Sequence, residues 1–504
     1  MKLSVRKWVT MIGWTQVFTA GVFLGIGFVI PSFWFLSIIA IMYLLYVITS
    51  EASYRKIVGL VTFAWFIKSL LSISWFWSAY PIAWVAGLSN GVQIGLISTY
   101  WLTSSLWLCS GGALFALVSV WLIRYRKLSS TIYICIAPFL WLIAELFSAL
   151  LFSVCTAGPG SFLQTYFSFG MTGYLLGVTP FGVWLAVLGG VYGLTILLVA
   201  IACVGYWLWS FVSKKKWVGS MIALYCILSF VSPITHRESL PISTSVIAVD
   251  TQFDAEFLST MTGIEFKAVT VATAVDAAVK NNPDVIVLPE DSRYLSSQYD
   301  ALYPNQAMSM FQFTHSNTDT LLIDSGRFTT PLGETVVRAN IFDGVSKKIW
   351  QIDKQYLVPQ GEYVPTVYGV VLTVLGYGAM VDTVAKDSAY RPGPLVQSAE
   401  LPAYIPGVLF CFESVSPAAV KALLEARTTI PYIVHPISHA WFHNPTILWQ
   451  QLGVMLQLQA RYAGVPIVSA GNMAQGKLYL PNGVILEGTI IEEGDRYRLR
   501  QFIF

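Results

Sequence analysis

Three side chains with complementary chemistry stand at the ends of apolar, strand-like runs. Cys411 follows Val408-Leu409-Phe410, Glu290 follows the run from Asp284 to Leu288 and Pro289, and Lys354 follows residues 347–353. After the thiol, Ser416 and Pro417 read as the N-cap and first position of a helix. A strand that turns sharply onto a helix presents a nucleophile with one side free. Backbone N–H groups then converge where an oxyanion would form. Cys-dependent acyl transfer uses this set: the thiol sulfur attacks a carbonyl carbon, a carboxylate takes and returns the proton, and a cation holds the oxyanion. Each residue taken singly has a plainer account. A free Cys packs as a small hydrophobe, and a Glu or Lys at a strand end is commonly a solvated cap. Their joint order favours chemistry.

The elements that must position them lie after residue 244. Strands are expected at 246–250, 284–288, 320–326, 335–343, 347–354, 431–437 and 465–470. Helices are expected at 266–280, 416–427 and 445–462. This alternation argues a layered α/β or α+β domain with buried sheets.

The preceding half has a different composition. The 504 residues are 55% hydrophobic and 11% charged, which is not a soluble composition. Residues 1–236 hold two acids, Glu51 and Glu145, and twelve Lys/Arg; the remaining 25 acids and 18 Lys/Arg follow. A polytopic membrane domain (1–233) and an aqueous domain (234–504) are therefore expected. Apolar runs at 8–30, 33–50, 57–79, 92–123, 131–152, 179–211 and 217–233 suggest about seven spans by the ~20-residue criterion. Gly111-Gly112 would kink or break the over-long fourth run. The first run is longer than a signal-peptide core and reads as a retained anchor. Basic residues fall at Lys2/Arg6/Lys7, Arg55/Lys56, Arg124/Arg126/Lys127 and Lys214–Lys216, and the intervening loops have none. That places 234–504 on the outer side. Lys68 and Glu145 lie within spans, where they would pair, although Lys68 snorkelling to the interface is an alternative. The uncharged, aromatic segment 153–178 reads as interfacial, a wall for a lipid site or simple packing. No basic run is interleaved with aromatics, so nucleic-acid binding has no support.

The motifs LPED (288–291), DKQYLVPQGEYVP (353–365) and FCFESVSP (410–417) resemble the nitrilase (carbon-nitrogen hydrolase) superfamily and, within it, the membrane-fused apolipoprotein N-acyltransferase family. Pro138, Trp141 and Glu145, and Gly190 to Thr195, are similar to that family's membrane signatures. The resemblance implies an αββα-sandwich behind an α-helical membrane bundle, with Glu290, Lys354 and Cys411 as catalytic triad and no cofactor. Glu290 would be the general base, while Lys354 would hold the oxyanion and help keep Cys411 as thiolate. Glu362 and Glu413 would be supporting carboxylates, or structural caps. Tyr363, Phe412, Trp441, Phe442 and Glu145 would be substrate-binding residues, or packing. The implied reaction takes an acyl chain from a membrane phospholipid to the amine of a diacylglyceryl-cysteine lipoprotein. It would run in the bacterial cytoplasmic (inner) membrane with the catalytic domain outside. Departures include Gln360, Ser148, the stretch Ser438 to His443 and the lack of a final spanning helix. A hydrolase, or a non-catalytic lipoprotein-binding homologue, shares the same motifs. His435, His439 and His443 invite a zinc reading, but Pro436 and Pro445 interrupt the helix that would gather them.

Overall fold

The computed structural model describes residues 13–82, 88–159, 161, 163–209, 220, 224–225, 227–229, 244–294, 319–330, 332–359, 361–379, 381–382, 390–394, 401–427, 429–443 and 445–504. The first part is helical: α1 (Trp14–Val29), α2 (Leu36–Thr49), α3 (Tyr54–Ser72), α4 (Asn90–Leu108), α5 (Ser110–Val120), α6 (Ser130–Cys155) and α7 (Gly190–Trp209). Among the described residues four stretches are long and apolar enough to cross a membrane: Tyr54–Ala79, Asn90–Tyr125, Ser130–Cys155 and Gly190–Trp209. The described residues thus account for four of the about seven expected spans. α1 and α2 have 16 and 14 residues, and most of 217–233 lies outside the described residues. The run at 179–211 yields a span only from Gly190, because Gly189 and Gly190 turn the chain with φ of +155° and +57°. The polarity of this region is inverted relative to a soluble core. Leu102, Leu106, Phe139, Ile143 and Val204 are exposed, whereas Lys68 and Glu145 are buried, as hydrocarbon surroundings require.

Two local expectations change. The helix break lies at Cys109, between α4 and α5. Gly111 and Gly112 serve close approach instead: a Cβ at Gly111 would stand 2.3 Å from Ala144 O, and one at Gly112 2.5 Å from Trp65 Cγ. The segment expected at the interface is buried at Tyr166, Phe167, Ser168, Phe169 and Met171. These residues pack between the helices and the sheet domain, through Tyr166 against Tyr356 and Phe412 and Ser168 Oγ to Val415 O, which is the packing alternative. Lys68 does pair with Glu145, at 2.6 Å and fully enclosed. Thr172 N, Trp141 Nε1 and Thr195 Oγ1 donate to the same carboxylate at 2.9, 3.2 and 3.3 Å.

From Ser245 onward the described residues form twelve strands: β1 (Ser245–Thr251), β2 (Val285–Val287), β3 (Leu321–Thr329), β4 (Thr335–Asp343), β5 (Lys348–Asp353), β6 (Gly407–Val408), β7 (Ile433–Ser438), β8 (Ile467–Asn472), β9 (Leu478–Tyr479), β10 (Ile485–Leu486), β11 (Thr489–Gly494) and β12 (Tyr497–Ile503). Pairing sorts them into two layers, β11-β12-β1-β2-β3-β4-β5 and β6-β7-β8-β9-β10, joined through the one pair Thr251↔Asn472. Period-2 alternation assigns the faces. Val246, Ala248, Val285, Val287 and Ile323 meet Val408, Phe410, Val434 and Val468 between the sheets. Ile247, Val249, Ile286 and Leu322 face α8 (Met261–Val279) on one outer side. α9 (Pro417–Ala426) and α10 (Thr446–Ala463) cover the other sheet through Val420, Leu423, Leu452 and Met455. That outer layer shares one continuous apolar core with the helical region. Gln451 of α10 seals the joint, its amide donating to Phe28 O and Ser72 O at 3.1 and 2.9 Å.

Candidate functional site

The strand directions explain how distant residues meet. β1, β2 and β3 are mutually parallel, and β5 regains that direction after the antiparallel β4. β6, β7 and β8 are parallel to one another, and β8 to β1. Glu290 after β2, Lys354 after β5 and Cys411 after β6 thus all leave the sandwich at the carboxyl edge, where ligands bind in such sheets. In a flat sheet β2 and β5 would lie about 14 Å apart, three strand spacings. Twist of the sheet and the four-carbon Lys354 stem close that gap.

Lys354 Nζ stands 3.0 Å from Glu290 Oε1 and 2.7 Å from Glu362 Oε1, and its side chain is wholly enclosed. The second Glu362 oxygen accepts from Val358 N at 2.8 Å, which ties the ammonium's partner to the turn that follows β5. Cys411 stands close enough to the Glu290 carboxylate for each to shift the other's titration, and its Sγ lies 3.7 Å from Ser438 O. Cys411 has a φ of +20°, uncommon for a residue with a Cβ. The sequence reasoning singled out all three of these groups, and the fold gathers them.

Charge decides their resting forms. Burial pushes the Glu290 carboxyl up, opposed by Lys354. Burial also works against the Lys354 ammonium, but Glu290, then Glu362 and Cys411, raise its pKa well above the usual lysine value. Burial, then the Glu290 charge, holds the Cys411 thiol well above its ordinary value, against the pull of Lys354. One cation already faces two carboxylates, so a further anion is disfavoured. Burial and the Glu290 charge thus favour the thiol form of Cys411 over the expected resting thiolate.

Glu413 and His435 shape the nucleophile loop. Residues Cys411–Val415 form a 3-10 turn. Glu413 Oε1 accepts from Gln355 N and Tyr356 N at 2.6 and 3.2 Å, and its Oε2 from Phe410 N at 2.8 Å. It therefore clamps the Cys411 loop to the segment carrying Lys354. Burial pushes its carboxyl up to about 7. His435 lies 3.2 Å from Cys411 O through Nε2 and 2.7 Å from Ser469 Oγ through Nδ1. A carbonyl only accepts, so Nε2 carries the proton; burial lowers the ring to about 4 and keeps it neutral. Sequence reasoning weighed His435 only as a zinc ligand; a polar residue in the apolar strand 431–437 was the available signal. His435 and His439 have other partners, and His443 Nε2 reaches Pro81 O at 2.9 Å. Among the described residues no group of three such side chains is placed to hold a metal.

The remaining expected residues divide. Phe412 is half-buried and meets Tyr166 and Phe167 at 6.1 and 6.4 Å; Phe442 meets Trp75 edge-on at 5.8 Å. These rings form an aromatic seam where the thiol loop abuts the helical region. Trp441 lies over Gly361 and is 38% exposed. Tyr363 is buried, its hydroxyl donating to Thr156 O at 2.9 Å, so it links the two regions. Glu145 is not brought to this site, since its oxygens are taken up by Lys68, Thr172, Trp141 and Thr195.

No protein-family model matches the sequence, and no curated protein is detectably similar to it. Among solved structures, a carbon-nitrogen hydrolase from Helicobacter pylori G27 is similar over 51% of this chain and 89% of its own, at 13% identity and a TM-score of 0.35. An amidase from Nesterenkonia sp. is similar over 54% of this chain and 94% of its own, at 15% identity and a TM-score of 0.33. A mutant of the Nesterenkonia amidase carries acrylamide added at its active-site cysteine.

Proposed function

We propose that this chain is a membrane-bound, Cys-dependent N-acyltransferase of the nitrilase superfamily. It would move a fatty acyl chain from a phospholipid to the amine of a diacylglyceryl-cysteine lipoprotein. The observation that carries this reading is Lys354 held between Glu290 and Glu362 beside the Cys411 thiol. That cluster abuts an aromatic seam built partly by the apolar helices. Glu290 takes the Sγ proton as sulfur attacks the donor's ester carbonyl, and the Lys354 ammonium pairs with the oxyanion. Collapse breaks the ester C–O bond; the lysophospholipid oxygen takes the proton from Glu290 and leaves a Cys411 thioester. The acceptor amine then attacks, yields its proton to Glu290, and the C–S bond breaks to give an amide and a thiol again. Glu362 orients Lys354, and Glu413 with His435 sets the nucleophile loop.

In this reading residues 1–233 lie in the bilayer of a bacterial cytoplasmic membrane and 234–504 act on its outer side, a disposition supported by the basic-residue pattern. Both substrates are lipids, so a site beside apolar helices meets them without extracting them into water. The test is the mass of a lipoprotein N-terminus from cells carrying the wild type or Cys411→Ala. An added acyl mass that needs Cys411 supports the reading. An unchanged mass removes it, and release of free fatty acid from phospholipid alone would mark a hydrolase.

A further inference from the structure

The turn that carries Glu290 has a strained backbone. Asp291 and Arg293 have φ of +62° and +53°, a left-handed conformation that is a genuine outlier for a side chain as bulky as Arg. Such residues persist only where their surroundings over-determine them. Two buried charged side chains, from different elements, supply that constraint. Lys267, in the second turn of α8, donates to Asp291 O at 2.8 Å and stands 3.7 Å from the Asp291 carboxylate. Asp324 of β3 accepts from Ser292 Oγ at 2.5 Å and from Tyr294 N at 3.2 Å. The turn also closes on itself and on β3: Ser292 N donates to Pro289 O at 3.3 Å, and Arg293 N to Ser325 O at 3.2 Å. Arg293 pairs with Asp291. Its stem lies so close to Gly326 that a Cβ there would stand 2.7 Å from Arg293 Cγ. Lys267, Ser292 and Asp324 are all buried. Burial works against the Lys267 ammonium, opposed first by Asp291, and an apolar side chain at this point of α8 would pack without that cost. The charge stands where it grips the residue next to Glu290.

We infer that Lys267 and Asp324 are positioning residues for Glu290: between them they hold the strained turn that keeps its carboxylate 3.0 Å from Lys354 Nζ. They act through the backbone of residues 289–294, not by contact with substrate. This rests on the reading above of Glu290 as the base for acylation of Cys411. The test follows acylation of Cys411 by mass in the full-length protein in detergent micelles, with p-nitrophenyl palmitate as donor. Lys267→Met is expected to lower the maximal rate about 10- to 100-fold while half-saturation changes by less than about twofold. A base displaced by about 1 Å loses reach for the proton without altering donor binding. In a Glu290→Gln background the same substitution is expected to change the rate by less than about twofold, since the group it positions is gone. Ser292→Ala, which removes the hydroxyl held by Asp324, follows the same pattern with a smaller loss of about 3- to 10-fold. A wild-type maximal rate in Lys267→Met, a rise in half-saturation alone, or an equal loss with and without the Glu290 carboxylate overturns the inference. Should Lys267→Met fail to fold, Ser292→Ala decides. A wild-type rate in that variant, or a loss that persists in the Glu290→Gln background, then overturns it. If wild-type Cys411 takes no acyl group from the ester, the acyl-transfer reading itself fails, and this inference with it.

Discussion

Burial and the Glu290 charge favour the thiol form of Cys411, so in the proposed reaction its reactivity is set by Glu290 more than by its own ionisation. Glu290 must be unprotonated to act, and burial raises its pKa above the ordinary carboxylate range. Single-turnover acylation should therefore rise with pH along an acid limb displaced upward from about 4.3. Lys354 stays protonated well above its ordinary value, so it adds no alkaline limb near neutrality. An acid limb at the ordinary carboxylate position would contradict this assignment. Glu290→Gln should slow acylation by about 10²- to 10⁴-fold. Glu413 makes a separate prediction about stability. Its carboxyl is raised in the folded protein from 4.5 to about 7, so between those values the native state binds the proton more tightly. The contribution of Glu413 to stability is greatest below about pH 4.5 and falls as pH rises to about 7, by on the order of 3 kcal/mol. Glu413→Gln should flatten that slope. Thermal unfolding of wild type and variant across pH 4.5–7.5 measures the difference.

At the level of elements, glycines fix how closely helices approach. Gly111→Ala should destabilise the helical region by about 1–3 kcal/mol, because its Cβ meets Ala144 O and the Trp65 ring. A thermal shift in detergent tests this, and an unchanged midpoint would mean that α5 and α6 can separate without loss. The strand positions were legible because period and punctuation agree: 335–343 is expected and found as Thr335–Asp343. The helix after the thiol starts where Ser416 and Pro417 indicate, with Ser416 Oγ accepting from Ala419 N. The last four strands were not foreseen. β9 and β10 are two residues long, and β11 has a bulge at Ile490/Glu492 that spoils alternation. β12 nevertheless pairs with the whole of β1, a contact between residues some 250 apart that no local signal encodes. The same holds at the site. Glu290, Lys354 and Cys411 announce themselves by ending apolar runs, whereas His435 acts through Ser469 and the Cys411 carbonyl, which only the β6-β7-β8 register brings together.

Across the whole molecule the helical and sheet regions are joined through polar contacts as well as a shared core. The Lys68–Glu145 pair holds Thr172, and the segment leading to it sends Ser168 Oγ to Val415 O at the end of the nucleophile turn. Lys68→Met alone leaves a buried carboxylate without its cation and should cost about 3–5 kcal/mol, whereas Lys68→Met with Glu145→Gln should recover most of that. Comparing the unfolding midpoints of the single and double variants checks it, and equal losses would mean that the pair does not act as a unit. Tyr363 to Thr156 O and Tyr356 to Gln164 bind the Lys354 segment to the same helical wall. The thiol loop and the Lys354 loop thus both rest on the apolar region, where the proposed lipid substrates would be met. The most direct measurement is the mass of the Cys411 peptide after the purified full-length protein meets phospholipid without acceptor. The account predicts one added acyl chain on Cys411, labile to hydroxylamine and lost in Glu290→Gln. An unmodified Cys411 peptide from folded protein, or an acyl adduct that persists in Cys411→Ala, would contradict it.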